Sequence, residues 1–312
     1  MAVMENVIIR TIVPILLLMG AGFLSRKTGI LKAGDERVLS AYIYYFALPA
    51  LFLVTMVETS FTSDILAFML AGILPVFVVL AVYALLYVVF RFSRNTFYLL
   101  ILTTIFGSLA FFGIPFIRFA FPVEGERLAT LAAAFIAMVS VTTSLVVLEL
   151  YRLEESTKWG GVKKVVRRLS RNPLIISILL GIFLSLIGLE LPAPISDSLH
   201  MLGGTTSVVA LFMLGVFIYG RRYTSLGDAF KLSLLRMLLL PVIAFLTTRL
   251  IGIAGIEGTV LVLMHGTPIA ISMIILSERY NFFKETIASL ILISSLAASF
   301  YLNLWLLLLG YY

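Results

Sequence analysis

Two stretches decide the fold: "TTIFGSLAFFGIPFIRFAF" at residues 103–121 and "VLVLMHGTPIAISMIILSERY" at residues 260–280. Each is apolar enough to lie in a membrane, and each carries small residues and a proline at its middle, Gly113 with Pro115 and Gly266 with Pro268. Proline has no N–H and its ring pushes on the preceding turn, so such a span either kinks or splits into two half-helices. Transmembrane helices tolerate single kinks, and Pro14, Pro49, Pro75 and Pro241 read as kinking or packing residues. A matched Gly-x-Pro in two halves of one chain carries more, because backbone groups freed inside a membrane must be satisfied by ligand, water or side chains.

The surroundings of these stretches fix the solvent. The chain has 312 residues, 61% hydrophobic and 12% charged, with a mean hydropathy of +1.12. Soluble domains carry about twice that charged fraction, so this composition cannot make a water-exposed surface. Cysteine is absent, which excludes disulfide scaffolds, cysteine-ligated metals and cysteine nucleophiles. Crossing about 30 Å of hydrocarbon takes roughly 20 apolar residues. The sequence supplies ten such stretches, at 6–24, 37–57, 66–90, 96–119, 127–150, 173–189, 198–220, 232–250, 257–277 and 286–309. The expected fold class is an all-α polytopic membrane protein of ten transmembrane helices, in which the N-terminal run is the first span and not a cleaved signal.

Charge sets the orientation. With loops alternating, 19 of the 23 Lys and Arg fall on one side, from Arg26 to Lys284 and including Arg236, against Arg10, Arg118, Arg127 and Arg249 on the other. The basic side is cytoplasmic, which places the protein in the cell membrane as a multi-pass protein with both termini outside. The net charge of +7 is therefore membrane anchoring, with lipids and not nucleic acid as the partner. The longest connection, "YRLEESTKWGGVKKVVRRLSRNP" from Tyr151 to Pro173, contains a short amphipathic stretch at Trp159–Leu169. It divides the chain into a first five-helix repeat (1–150), a cytoplasmic basic loop (151–172) and a second five-helix repeat (173–312). Five is odd, so the second half is inverted, an arrangement that puts a substrate site near the midplane where interrupted helices 4 and 9 meet.

Little charge surrounds those interruptions. Leu99 to Pro115 holds no ionisable residue, and Thr259 to Leu276 holds only His265. Half-helices beginning after Pro115 and after Pro268 would offer unpaired N–H groups and the positive ends of two dipoles, as a carboxylate needs. The expected substrate-binding residues are Ser108, Gly113, Ile114, Pro115, His265, Gly266, Thr267, Pro268 and Ser272, with the hydroxyls of Ser108, Thr267 and Ser272 as neutral oxygens for sodium. No catalytic residue, bound metal or cofactor is expected. Three readings of His265 stand side by side: a structural bond to a carbonyl exposed by the break, substrate contact, and proton coupling. His200 reads as a solvated residue of an outside loop.

With these features in order, the chain resembles the auxin efflux carrier family, which includes PIN-like exporters and bacterial malate or malonate permease-like transporters. The likeness runs over about residues 5 to 310 and is carried by "YFALPALFL" (45–53), "FGSLAFFGIPF" (106–116), "RNPLIISILLG" (171–181), "LGVFI" (214–218) and "TPIAISMIILSERYN" (267–281). The resemblance implies a fold similar to the bile-acid sodium symporters. In that fold, helices 1, 2, 6 and 7 form an often dimeric scaffold, while helices 3–5 and 8–10 form a transport domain that moves as an elevator. It also implies that the segments around Pro115 and Pro268 lie beside the substrate. The family often carries asparagine seven residues before the first crossing proline, where this chain has Ser108.

The expected function is thus a secondary transporter of small organic anions, with a homodimer and a coupling ion, H+ or Na+, among the implied partners. A sodium- or proton-coupled symporter of the bile-acid type is the alternative within the same architecture, and an anion channel the alternative outside it. An enzyme is not expected, because HExxH, GxSxG and paired membrane aspartates are all missing from the sequence.

Overall fold

The computed structural model describes residues 7–152, 158–220, 223 and 225–311. Glu5, residues 153–157 of the basic loop, Arg221 and Arg222 lie outside the described residues. The elements are α1 (Val7–Lys27), α2 (Asp35–Val57), α3 (Ser63–Phe90), α4 (Arg94–Ile105), α5 (Leu109–Ala120), α6 (Gly125–Arg152), α7 (Lys158–Leu169), α8 (Pro173–Leu186), α9 (Ala193–Ile218), α10 (Leu226–Ile251), α11 (Gly255–His265), α12 (Met273–Tyr280) and α13 (Lys284–Leu308). Among the described residues seven helices, α1, α2, α3, α6, α9, α10 and α13, are long and apolar enough to cross a membrane, while α5, α8 and α11 are shorter apolar helices. The molecule is an all-α, multi-pass membrane protein, and no sheet occurs among the described residues.

Helix ends follow local sequence. Ser93 Oγ accepts the Thr96 N–H at 3.1 Å to open α4, and Asn172 Oδ1 accepts the Leu174 N–H at 3.0 Å to open α8, with Pro173 in the first turn where a missing N–H costs nothing. Gly252, at φ 85°, closes α10 in the left-handed conformation that glycine adopts freely. The amphipathic stretch of the basic loop is helical, as α7, and Arg168 on it pairs with Glu149 at the end of α6 at 2.8 Å. His200 is not in a loop. Helix α9 starts at Ala193, before the expected span, which places His200 within its early turns and against Glu58 Oε1 at 2.8 Å.

Three prolines share a device. π-helical turns occupy Ile43–Ala47, Leu109–Gly113 and Leu235–Leu239, each ending just before Pro49, Pro115 or Pro241. A proline ring clashes with the carbonyl four residues back, and a widened turn makes room for it without ending the helix. Pro241 has no N–H to give Met237, and that carbonyl instead accepts the Trp305 indole N–H from α13 at 3.0 Å.

Helix α1 packs on α9, and α2 packs on both α8 and α9; separately, α3 packs on α6 and α10, and α10 packs on α11 and α13. The α1–α9 contact is backbone to backbone: a Cβ on Gly22 would lie 1.9 Å from Phe212 O, and one on Gly215 would lie 1.9 Å from Met19 O. Small residues permit such approach between membrane helices, where packing supplies the attraction that hydrophobicity cannot. Gly215→Val should therefore push α1 from α9 at a cost of about 1–3 kcal/mol, read as a lower unfolding midpoint in detergent. Gly20→Ala, at a glycine with nothing within 4 Å of its Cβ position, should leave the midpoint unchanged.

Candidate functional site at the crossing of two interrupted helices

Helix α4 stops at Ile105 and α5 starts at Leu109; α11 stops at His265 and α12 starts at Met273. The two gaps meet as a short antiparallel bridge between Gly107 and Ile269. Ser108 N–H donates to Pro268 O at 2.7 Å, and Ala270 N–H donates to Phe106 O at 3.0 Å. The Ile269 N–H finds Ser294 Oγ of α13 at 3.1 Å, and the Gly266 carbonyl accepts the Tyr301 hydroxyl, also of α13, at 2.5 Å. Buried backbone groups left by two broken helices are thus met by each other and by side chains of α13.

The second half of the first interrupted helix does not begin after Pro115. It begins at Leu109, because the widened turn Leu109–Gly113 absorbs that proline and the break falls on Gly107 instead. Ser108 O accepts from both Phe112 N and Gly113 N at 3.0 Å, which anchors that turn. Pro268, in contrast, sits inside its break, and no helix continues through it.

A cation occupies the crossing. Arg236 is 1% exposed, and all three nitrogens of its guanidinium are engaged. Nε donates to Thr267 O at 2.5 Å, Nη2 to Thr267 Oγ1 at 2.9 Å, and Nη1 to Thr104 O. Thr104 lies in the last turn of α4 and Thr267 just beyond α11, so the charge sits at the negative ends of two half-helix dipoles, where unpaired carbonyls collect. Gly107 makes room for it: a Cβ there would lie 1.5 Å from Arg236 Nη2, so the guanidinium would have to leave this position. The expectation of a crossing without a fixed cation is overturned. The charge count groups Arg236 with the loops, yet it lies about 15 Å of helix rise inside α10 from Leu226 and is buried in the protein. Its sequence signal was its position inside the apolar run 232–250, since an ionisable residue within a span is a functional candidate by default.

Of the expected site residues, Ser108, Gly113, Gly266, Thr267 and Pro268 come together. A Cβ on Gly113 would lie 2.8 Å from both Met264 Sδ and Thr267 Cγ2, so the turn of α5 packs directly on the second break. Ile114 and Pro115 are buried in the following turn of α5. The Thr267 hydroxyl, expected as a sodium ligand, already accepts from Arg236 and donates to Met264 O at 2.8 Å. Ser272 is half-buried at the far end of its break. His265 turns away from the bridge toward α3, where Nε2 lies 2.7 Å from Gly72 O, three residues before Pro75. A carbonyl only accepts, so Nε2 carries a proton, and Nδ1 has no partner among the described residues. This is the carbonyl-bonded reading of His265, although the carbonyl belongs to α3 and not to either break.

Around the bridge Gly107, Ala110, Phe111 and Ser272 keep partial exposure, while Ser108, Leu109 and residues 264–271 are buried. A cavity of about 450 Å³ lies elsewhere, between the ends of α2 and α8, lined by Glu58, Ser60, Ser185 and Glu190. It contains none of the crossing residues. Removal of either α13 partner tests the backbone accounting: Tyr301→Phe orphans the Gly266 carbonyl and Ser294→Ala orphans the Ile269 N–H. Each should cost about 1–3 kcal/mol and lower the detergent unfolding midpoint, and unchanged midpoints in both would refute the assignment.

A profile of the Membrane transport protein family matches residues 7–306, nearly the whole of the helical body just described. The chain is 26% identical over 300 residues to Uncharacterized transporter MJ1031 of Methanocaldococcus jannaschii, covering 93% of this chain and 95% of that one. It is 21% identical over 302 residues to Uncharacterized transporter YfdV of Escherichia coli (strain K12), covering 95% of each. Both interrupted helices, the bridge between them and Arg236 fall within the matched region, and the chain belongs to the Membrane transport protein family.

Proposed function

We propose that the protein is a secondary transporter of small organic anions bearing one or two carboxylates, held at the crossing of the two interrupted helices. The observation that carries this reading is Arg236, a buried guanidinium whose hydrogen-bond partners among the described residues are all neutral oxygens and include no carboxylate. A positive charge held by neutral oxygens and helix ends keeps its net charge and attracts an anion: at about 7 Å and an effective dielectric of about 20, the attraction is about 2 kcal/mol. The half-exposed residues Gly107, Ala110, Phe111 and Ser272 border the positive, N-terminal ends of α5 and α12, where an anion gains from both dipoles. Ser108, Gly113, Ile114, Pro115, Gly266, Thr267, Pro268 and Ser272 shape that place, and His265 supports it from behind through α3.

In this reading the chain crosses the membrane ten times, with the pairs α4/α5 and α11/α12 each counting as one crossing, and both termini lie outside. It forms two inverted five-helix repeats of the bile-acid symporter type. The set α1, α2, α8 and α9 is the scaffold, which dimerises, and the remaining helices move past it as an elevator. Support comes from the close packing of α1 on α9 and of α2 on α8 and α9 within the first set, which α5 joins to the second by packing on α1 and α9, and from the basic residues gathered on one side. A reporter fused after Gly161 should be cytoplasmic, and reporters after Ser60 and Tyr312 should be external. A cytoplasmic C-terminus would sink both the ten-crossing count and the inversion.

Direction follows from voltage. A potential of about 100 mV, negative inside, is worth about 2.3 kcal/mol per charge and drives a monovalent anion outward roughly fifty-fold with no coupling ion. Electrogenic export of the auxin-carrier type is therefore the proposed mode. In proteoliposomes a panel of malate, malonate and aromatic acids should yield at least one substrate whose flux changes with imposed potential. Response to sugars, amines or metal cations with none to carboxylates would overturn the substrate class, and strict dependence on a sodium gradient would move the protein to the symporter alternative.

A further inference from the structure

Thr104 O, Thr267 O and Thr267 Oγ1 surround the Arg236 guanidinium, one against each of its nitrogens, and each is a neutral oxygen at or just past the C-terminal end of a half-helix inside the protein. Unwound carbonyls and half-helix C-terminal ends are the ligand chemistry with which interrupted membrane helices hold a small monovalent cation. Here that place is filled by a side chain. Arg236 reaches it from the π-helical turn of α10, is buried from solvent, and is matched to the space so closely that Gly107 leaves room for no Cβ. The Tyr301 hydroxyl satisfies the neighbouring Gly266 carbonyl, so the surrounding oxygens need no further donor.

We propose that Arg236 is a tethered cation standing where a free coupling ion would bind, so that the transporter carries its own positive charge and has no use for sodium. An ammonium or guanidinium on a covalent stem neutralises the two negative helix ends as a sodium ion would, but it cannot dissociate into either aqueous phase. The crossing then stays intact in every salt, and the anion meets a permanent positive charge instead of one that arrives with it. Removing the guanidinium should uncover the oxygen set and convert the protein into one that needs a small cation at this place. The proposal rests on reading the crossing as the transport site. The test contains no substrate, however, so either reading can fail while the other stands.

The experiment compares unfolding midpoints of purified protein in sodium chloride and in choline chloride at equal ionic strength, choline being too large for the vacated space. The wild-type chain should show the same midpoint in both salts. Arg236→Ala should be several degrees less stable than wild type in choline and should regain stability as sodium is titrated, in a saturable manner. Arg236→Lys, which keeps a charge on a shorter stem, should respond to sodium less than the alanine variant. If the alanine variant yields no folded protein in either salt, Arg236→Gln, which keeps most of the volume without the charge, is measured in the same way. A sodium-dependent midpoint in the wild type, or equal midpoints in the two salts for the neutral variants, would overturn the proposal.

Discussion

Inside a hydrocarbon layer an unpaired carbonyl and a bare guanidinium are each costly, and at the crossing each removes the other's penalty. Thr104 and Thr267 present carbonyls that their own helices cannot satisfy, since α4 and α11 end there. Arg236 presents N–H donors and a charge that the membrane cannot solvate. Their three hydrogen bonds tie α10 to both interrupted helices, and the Gly107–Ile269 bridge closes the arrangement. The arginine is tolerated because the breaks supply carbonyls for it, and it satisfies two of the carbonyls that the breaks leave open.

The neighbouring helices hold this unit in place with neutral hydrogen bonds. Tyr83 of α3 bonds the Thr104 hydroxyl at 2.8 Å, and His265 ties the end of α11 to α3 through Gly72. Helix α13 contributes Ser294, Tyr301 and Trp305, the last to the carbonyl that Pro241 leaves without a donor. The three α13 groups answer backbone deficits made where a proline sits or a helix breaks, so the irregular positions and these polar side chains form one accounting. At the far end of α5 Arg10 of α1 donates to Ala120 O at 2.6 Å and closes the C-terminus of that helix in the same way.

Much of the fold was legible because lipid imposes a simple code. Apolar runs named the long helices, and matched prolines pointed to the two interruptions. The site was legible only in part. Thr267 and Pro268 lie where proline chemistry places them, yet the first break slid from Pro115 to Gly107. A π-helical turn can absorb a proline, and nothing local distinguishes a proline that breaks a helix from one that widens it. Arg236 was hidden by a different cause. A basic residue near the end of an apolar run reads equally as loop or span, and the turn Leu235–Leu239 that carries it inward has no sequence signature apart from the proline after it. His200 was misjudged because α9 extends past its apolar segment, with Pro194 in its first turn.

Gly107 and Arg236 claim the same few cubic ångströms from opposite sides, the one by lacking a side chain and the other by filling the space with its guanidinium. The fitness of a residue at either position is therefore conditional on the other. A side chain at 107 would displace the guanidinium from its oxygens, whereas loss of the arginine would open the same space to a side chain at 107.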